Sequence, residues 1–342
     1  MTGVLPLPPH VDLERVSEVW RVDYEARFGE ATVWAAEHGL GPAARDSKRV
    51  CLLVVDVQNT FCTPGFELFV AGRSGTGALD DNRRLCAFLY RNLGAITEAV
   101  VTLDTHQAFQ IFHAPFLVDE LGRHPDPYTL VRREDIVSAR WRVDREAAAA
   151  LGLTPELAGA HLRSYVETLA AGGKYDLTIW PFHAMLGGIG HALVSAVEEA
   201  LFFHAIARRS QTRFEIKGRS PLTEHYSALG PEVSAGGPLG ERNTALIEHL
   251  LGFDAVIVAG QAKSHCVAWT VADLLQDAPE IASRLYLLED CTSPVVVPDA
   301  VDYTGDADTA FARFAEIGAH VVCSIEPIAS WPGPVSGALA TG

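Results

Sequence analysis

Residues 255–275 read AVIVAGQAKSHCVAWTVADLL. The run Ala255–Ala259 holds five aliphatic residues with no polar side chain among them, the composition of a strand covered on both faces in a parallel sheet. From Val267 onward the pattern changes: Val267, Thr270, Val271, Leu274 and Leu275 recur at helical spacing and predict an amphipathic helix. Between the two lies a short polar turn, and Cys266 stands where that turn becomes helix. A strand, a turn and a helix in this order make one βα unit, and open parallel sheets bind their ligands beyond the carboxyl ends of the strands.

Outward from this unit the same alternation repeats. Cys51–Val55, Ala99–Leu103, Arg213–Ile216, Leu285–Leu288 and His320–Cys323 are further candidate strands, rich in aliphatic and β-branched residues. Asp80–Glu98, His191–Arg209, Gly240–Leu251, Cys266–Leu275 and Asp308–Ile317 carry apolar residues at helical spacing. This is the α/β class, with a mainly parallel sheet. Two segments break the alternation. Residues 1–49 include the helical VSEVWRVDYEARFGEATVWAAEHGL, and about 114–179 separates two strands by far more than an ordinary connection. The expected organisation is an N-terminal helical extension over 1–49, a main α/β domain over 50–330 with an insertion at about 114–179, and a tail over 331–342.

Composition excludes several functions. The 342 residues are 48% hydrophobic, enough to bury a large core, and their net charge of −16 would repel a phosphate backbone, so no nucleic-acid partner is expected. No basic leader precedes an apolar run and no stretch is apolar enough to span a bilayer, so a soluble, cytoplasmic protein is expected. The six cysteines, at 51, 62, 86, 266, 291 and 323, form no CxxC pair and lie mostly in apolar runs, which suits reduced thiols.

Polar residues at strand ends are the first candidates for chemistry. Cys266 at a helix N-terminus is expected to have a lowered thiol pKa, because free amides and the helix dipole favour the thiolate. An inert core thiol is the competing reading, and the small residues of the GQAKSHC turn favour a nucleophile. Asp56 ends the run CLLVVD, where a buried carboxylate is costly without a partner or a task, and Lys217 ends FEIK as a candidate partner. Either alone reads as a structural ion pair or a cap; with Cys266 they compose a nucleophile, a proton acceptor and a cation. Asp104 and His106 sit two apart, so on a continuing strand both project from one face. With His183 in IWPFHAML they form one carboxylate and two imidazoles, a set for Zn²⁺, Fe²⁺ or Mn²⁺, although DxH alone is a weak signal and on spacing alone scattered polar residues are the favoured reading. His113, His191, His225 and His265 read as ordinary histidines, His113 being the best of them as an extra ligand.

Taken together, VVDVQNTFC (54–62), TLDTH (102–106), WPFH (180–183), KGRSPLTEHYSAL (217–229) and GQAKSHCVAWTVADLL (260–275) resemble the isochorismatase-like cysteine hydrolases, in particular the nicotinamidase branch. The resemblance spans most of residues 50–325 and implies a three-layer αβα domain around a six-stranded parallel sheet. It implies an Asp56–Lys217–Cys266 triad, a divalent metal on Asp104, His106 and His183, and Phe61 and Trp180 enclosing a planar substrate. It also implies a nonproline cis peptide between Gln261 and Ala262, with the amides of Ala262 and Cys266 as an oxyanion hole, and assembly as a homo-oligomer. One departure is Ser264, where the family's turn commonly carries aspartate; others are the extension and the insertion.

The function expected is hydrolysis of a small, nicotinamide-like carboxamide to acid and ammonia through a thioester. The alternatives are an N-carbamoyl or ureido hydrolase on the same triad, and a noncatalytic binding or assembly protein of this fold.

Overall fold

Six strands form the central sheet of the computed structural model, which describes residues 4–234, 241–298 and 300–335. They are β1 (Val50–Val55), β2 (Glu98–Asp104), β3 (Arg213–Lys217), β4 (Ala255–Gly260), β5 (Leu285–Leu288) and β6 (His320–Val322). Each lies within one residue of its sequence-predicted ends. The order across the sheet is β3-β2-β1-β4-β5-β6, with every neighbouring pair parallel. The direction of winding reverses between β1 and β4, so the crevice at their carboxyl ends is where this topology leaves room for a ligand.

The inner strands are covered on both faces because they are apolar on both, whereas the edge strand β3 departs from the expected double cover: it alternates polar and apolar residues and leaves Phe214 and Ile216 about half exposed. Along β1, Val50, Leu52 and Val54 enter one core cluster, and Cys51, Leu53 and Val55 enter the other. The first cluster includes apolar residues of α2 (Gly77–Arg91) and α4 (Ser195–Arg208), the second those of α5 (Thr244–Leu251), α6 (Ala268–Asp277) and α7 (Thr304–Ile317). This is the three-layer arrangement. All six cysteines are free thiols. Among the described residues no helix is long and apolar enough to cross a membrane.

Helix boundaries depart further from expectation than strands. The helix expected over Asp80–Glu98 ends at Arg91, because Asn92 closes it, its Nδ2 donating to the Phe88 carbonyl over 2.8 Å. The chain then turns through buried Leu93 and Ile96 before β2 begins. The helix expected from His191 begins at Ser195, and that expected from Asp308 begins at Thr304. The helix expected from Gly240 begins at Thr244, Gly240 itself lying outside the described residues. The last seven residues of the expected tail, 336–342, also lie outside them.

The extension contributes α1 (Tyr24–Glu37), which lies along α4. Arg27 pairs with Glu199 at 2.8 Å, and Ser195 Oγ both accepts from the Trp20 amide and donates to its carbonyl, each over 2.9 Å. The insertion contains α3 (Pro155–Ala171) and two short antiparallel ladders, Leu117–Val118 with Arg142–Val143 and Leu130–Val131 with Leu177–Thr178. It gathers its own apolar cluster, in which Phe116, Leu162, Tyr165, Val166 and Leu177 are buried with Trp180.

The join of β1 and β4 is the tightest point in the sheet. Gly260 pairs with Val55 at φ +118°, and a Cβ placed there would stand 2.1 Å from the Val55 carbonyl oxygen. Gly260→Ala is therefore expected to lower stability by more than about 3 kcal/mol. Urea denaturation checks this, and a wild-type midpoint would contradict the packing.

Candidate active site

Asp56 leaves β1 in the left-handed region, φ +47°, a conformation Asp tolerates better than most residues. Thr102 on β2 holds it: the Asp56 amide donates to Thr102 Oγ1 over 3.0 Å, and that hydroxyl donates to Asp56 Oδ1 over 2.6 Å. Gln58 binds both sides of the Asp104 backbone, its Nε2 donating to the carbonyl and its Oε1 accepting from the amide, each over 2.8 Å. These bonds tie the exits of β1 and β2 together. Lys217 ends β3 opposite Asp104 in the sheet register.

Its ammonium is the meeting point. Lys217 Nζ lies 2.9 Å from Asp56 Oδ2, 3.2 Å from Asp104 Oδ1 and 3.5 Å from Cys266 Sγ, and donates to the His225 carbonyl over 2.7 Å. All three sequence-predicted triad residues are thus brought together, and all are buried. Gly218 allows the approach: at φ +80° its missing Cβ would stand 2.7 Å from Asp104 Oδ1.

Burial shapes the protonation of this cluster. Burial alone would lower the Lys217 ammonium, but Asp104 and Asp56 outweigh it and hold its pKa well above the ordinary lysine value. Burial pushes the Asp56 carboxyl up against the opposing pull of Lys217. Burial also pushes the Cys266 thiol well up, Lys217 opposing and the carboxylates adding to the rise. The expectation of a lowered thiol pKa is therefore corrected. The sulfur sits within a π-helical turn, Lys263–Val267, enclosed by protein and facing two carboxyl groups, rather than in an open first turn of α6. In this setting the resting group is the thiol, and Asp56, with its affinity for protons raised, is placed to receive one.

The peptide between Gln261 and Ala262 is cis. Gln261 is fixed at both ends of its amide, Nε2 donating to Asp81 over 2.7 Å and Oε1 accepting from the Ser293 amide over 3.3 Å. Ala262 and Cys266 both face a cavity of about 40 Å³, together with Phe61, Trp180, Asp104, His106 and His183.

Asp104 contacts both predicted histidine ligands, His106 Nε2 at 3.0 Å and His183 Nε2 at 3.8 Å. Burial works against its ionisation, but His106 and Lys217 prevail and hold the carboxyl well below the usual range. The structure adds His113: one nitrogen each of His106, His113 and His183 lie within 4.8 Å of one another. Each Nδ1 contacts a backbone carbonyl, His106 that of His183 at 3.2 Å, His113 that of Gln107 at 3.1 Å and His183 that of Pro181 at 2.8 Å. With Nδ1 protonated toward their carbonyls, His113 and His183 keep Nε2 as an acceptor, the tautomer a metal requires, while His106 Nε2 meets the Asp104 carboxylate. Among the described residues, His113 Nε2 is buried with no hydrogen-bond partner. Burial and His106 lower the His113 pKa to about 4, and His183 is likewise lowered, so both are neutral imidazoles at neutral pH. The three imidazoles fit a divalent cation: His113 joins the predicted His106 and His183, whereas the predicted Asp104 lies outside this group, its carboxylate paired with His106 and Lys217.

Sequence reasoning also missed the far wall. Glu224 Oε1 accepts from Trp180 Nε1 over 2.9 Å and from the Tyr226 hydroxyl over 2.7 Å, and burial raises this carboxyl to about 8. His265 lines the cavity beside them. These residues lie within quoted motifs, but nothing in their spacing distinguishes cavity wall from core. His191 and His225 contribute a Thr105 contact at 2.8 Å and a backbone carbonyl for Lys217, respectively.

No protein-family model matches the chain, and no curated protein matches it in sequence. Its fold is that of the isochorismatase-like hydrolases, a six-stranded parallel sheet between helices. Solved structures of this fold include the Acinetobacter baumanii nicotinamidase/pyrazinamidase, similar at 20% identity over 82% of this chain and 98% of that one, with a TM-score of 0.50. The yeast nicotinamidase is similar at 19% identity over 80% and 99%, TM-score 0.50. A second yeast structure, bound to the inhibitor nicotinaldehyde, is similar at 17% identity over 80% and 99%, TM-score 0.52.

Two measurements check the site. Alkylation of Cys266 by iodoacetamide is expected to keep rising as pH passes the ordinary thiol value of 9.0, because burial raises the thiol; a plateau near neutrality would contradict this. Cobalt titration followed by visible absorption is expected to show binding that weakens by about tenfold or more in both His113→Ala and His183→Ala. Unchanged binding in His113→Ala would remove that residue from the ligand set.

Proposed function

We propose that the chain is a cysteine-dependent amidohydrolase that converts a small, nicotinamide-like carboxamide to the acid and ammonia. The observation that carries this reading is Lys217 Nζ standing 2.9 Å from Asp56 and 3.5 Å from Cys266, which itself lines a small cavity. Asp56 takes the thiol proton while Lys217 stabilises the thiolate that forms, which makes Cys266 a nucleophile only as it reacts. The sulfur adds to the amide carbonyl. The backbone amides of Ala262 and Cys266 then receive the oxyanion, where one such donor is worth roughly 3 kcal/mol. Asp56 returns the proton to departing ammonia, and water hydrolyses the thioester.

Phe61 and Trp180 are the flat apolar walls between which a planar ring is held. His106, His113 and His183 would hold a divalent cation, Zn²⁺, Fe²⁺ or Mn²⁺, which when bound supplies a Lewis acid for a ring nitrogen or for water. The nicotinaldehyde bound to the yeast nicotinamidase supports trying pyridine-ring compounds first.

Ammonia release is the test, over nicotinamide, pyrazinamide, aliphatic amides and ureido acids. Wild-type protein is expected to turn over a planar aromatic carboxamide, Cys266→Ala none, and Asp56→Asn at a rate lower by about a hundredfold or more. Turnover that survives in Cys266→Ala would sink the mechanism. Release from ureido acids alone would move the substrate class and keep the triad.

A further inference from the structure

Residues 174–183, KYDLTIWPFH, carry the end of the insertion into the WPFH motif, and this short strap reaches three parts of the site. His183 joins the histidine cluster and Trp180 walls the cavity. Tyr175 goes to the nucleophile turn. Its hydroxyl donates to the Ser264 carbonyl over 3.1 Å, inside the π-helical turn that carries Cys266. Its ring lies against His265 at 4.8 Å and Tyr303 at 4.9 Å, and meets Trp269 edge-on at 5.9 Å. The neighbouring Lys174 pairs with Glu232 at 2.8 Å and sits 5.1 Å over the Trp269 ring, which anchors the strap.

The other anchors of the turn come from the core domain. The Lys263 amide donates to the Ser293 carbonyl over 2.8 Å, the Val295 amide donates to Ser264 Oγ over 3.0 Å, and the Lys263 ammonium pairs with Asp308 at 2.9 Å. None of these holds the carbonyl of Ser264. That carbonyl and the His265 amide belong to one rigid peptide plane. The His265 amide donates to the Ala262 carbonyl over 3.0 Å, so the plane is held at one side by the turn itself and at the other by Tyr175. It is the last full peptide before the Cys266 amide, so its tilt sets where that amide and the sulfur point.

We infer that Tyr175 is a positioning residue for the nucleophile, and that the insertion sets the geometry of the turn carrying Cys266 as well as walling the cavity. The inference rests on the amidohydrolase reading for its kinetic test. Tyr175→Phe removes one oxygen and keeps the ring. On the amide found by the ammonia screen it is expected to lower kcat about tenfold with KM held within about twofold, as a small misplacement of a reacting group does. Its thermal midpoint stays within about 2 °C of wild type. Tyr303→Phe, whose hydroxyl is turned toward Thr178, is the comparison and is expected to keep the wild-type kcat. A wild-type kcat in Tyr175→Phe overturns the inference, and so does an equal loss in both variants, which would assign Tyr175 to packing alone. Should the wild-type protein hydrolyse no amide, the proposed function fails and iodoacetamide decides the inference without it. Cys266 alkylation slowed by about threefold or more in Tyr175→Phe alone then upholds the inference, and equal rates in all three proteins overturn it.

Discussion

A buried ammonium is costly unless opposite charge surrounds it, and Lys217 is the charge about which this site is organised. Its partners Asp56 and Asp104 end two adjacent strands, and Cys266 follows a third, so the attraction that neutralises one lysine joins three distant stretches of chain. The same attraction fixes the chemistry. A carboxyl beside an ammonium alone would be a poor base, but full burial restores the proton affinity of Asp56. Removing one partner from such a cluster leaves an uncompensated buried charge, so the site is held together by the charges it uses.

The sheet makes this possible through topology rather than local sequence. Because winding reverses between β1 and β4, the exits of both strands open into one crevice, and Gly260 lets the two backbones approach closely enough for that crevice to be narrow. The extension and insertion leave this core unchanged. The extension reinforces α4, while the insertion, with an apolar cluster of its own, delivers Tyr175 to the site and leads directly into Trp180 and His183.

Much of this was legible in the sequence where a single physical rule dominates. Strand ends were legible because Asp56 and Asp104 each interrupt a largely aliphatic run at the point where it leaves the sheet, and Lys217 closes the short alternating run RFEIK. What was illegible depends on lateral placement and depth. That Asp104 faces Lys217 follows from strand order and register, and neither is encoded within a single segment. His113 lies in an irregular loop without periodicity, so its approach to His106 and His183 has no sequence signature. The thiol pKa was misread because a helix start is visible in GQAKSHCVAWTV whereas the enclosure of its sulfur is not. Nothing in the sequence marks Tyr175, since a hydroxyl reaching a carbonyl 89 positions away leaves no local trace.

The most direct measurement of the central claim is acid-quench mass spectrometry of the protein during turnover of its amide. The account predicts an acyl adduct on the peptide containing Cys266, its mass equal to the substrate less ammonia, that is absent in Asp56→Asn. Product formed at the full rate with no adduct on Cys266 at any quench time, in a protein whose Cys266→Ala variant is equally active, would contradict it.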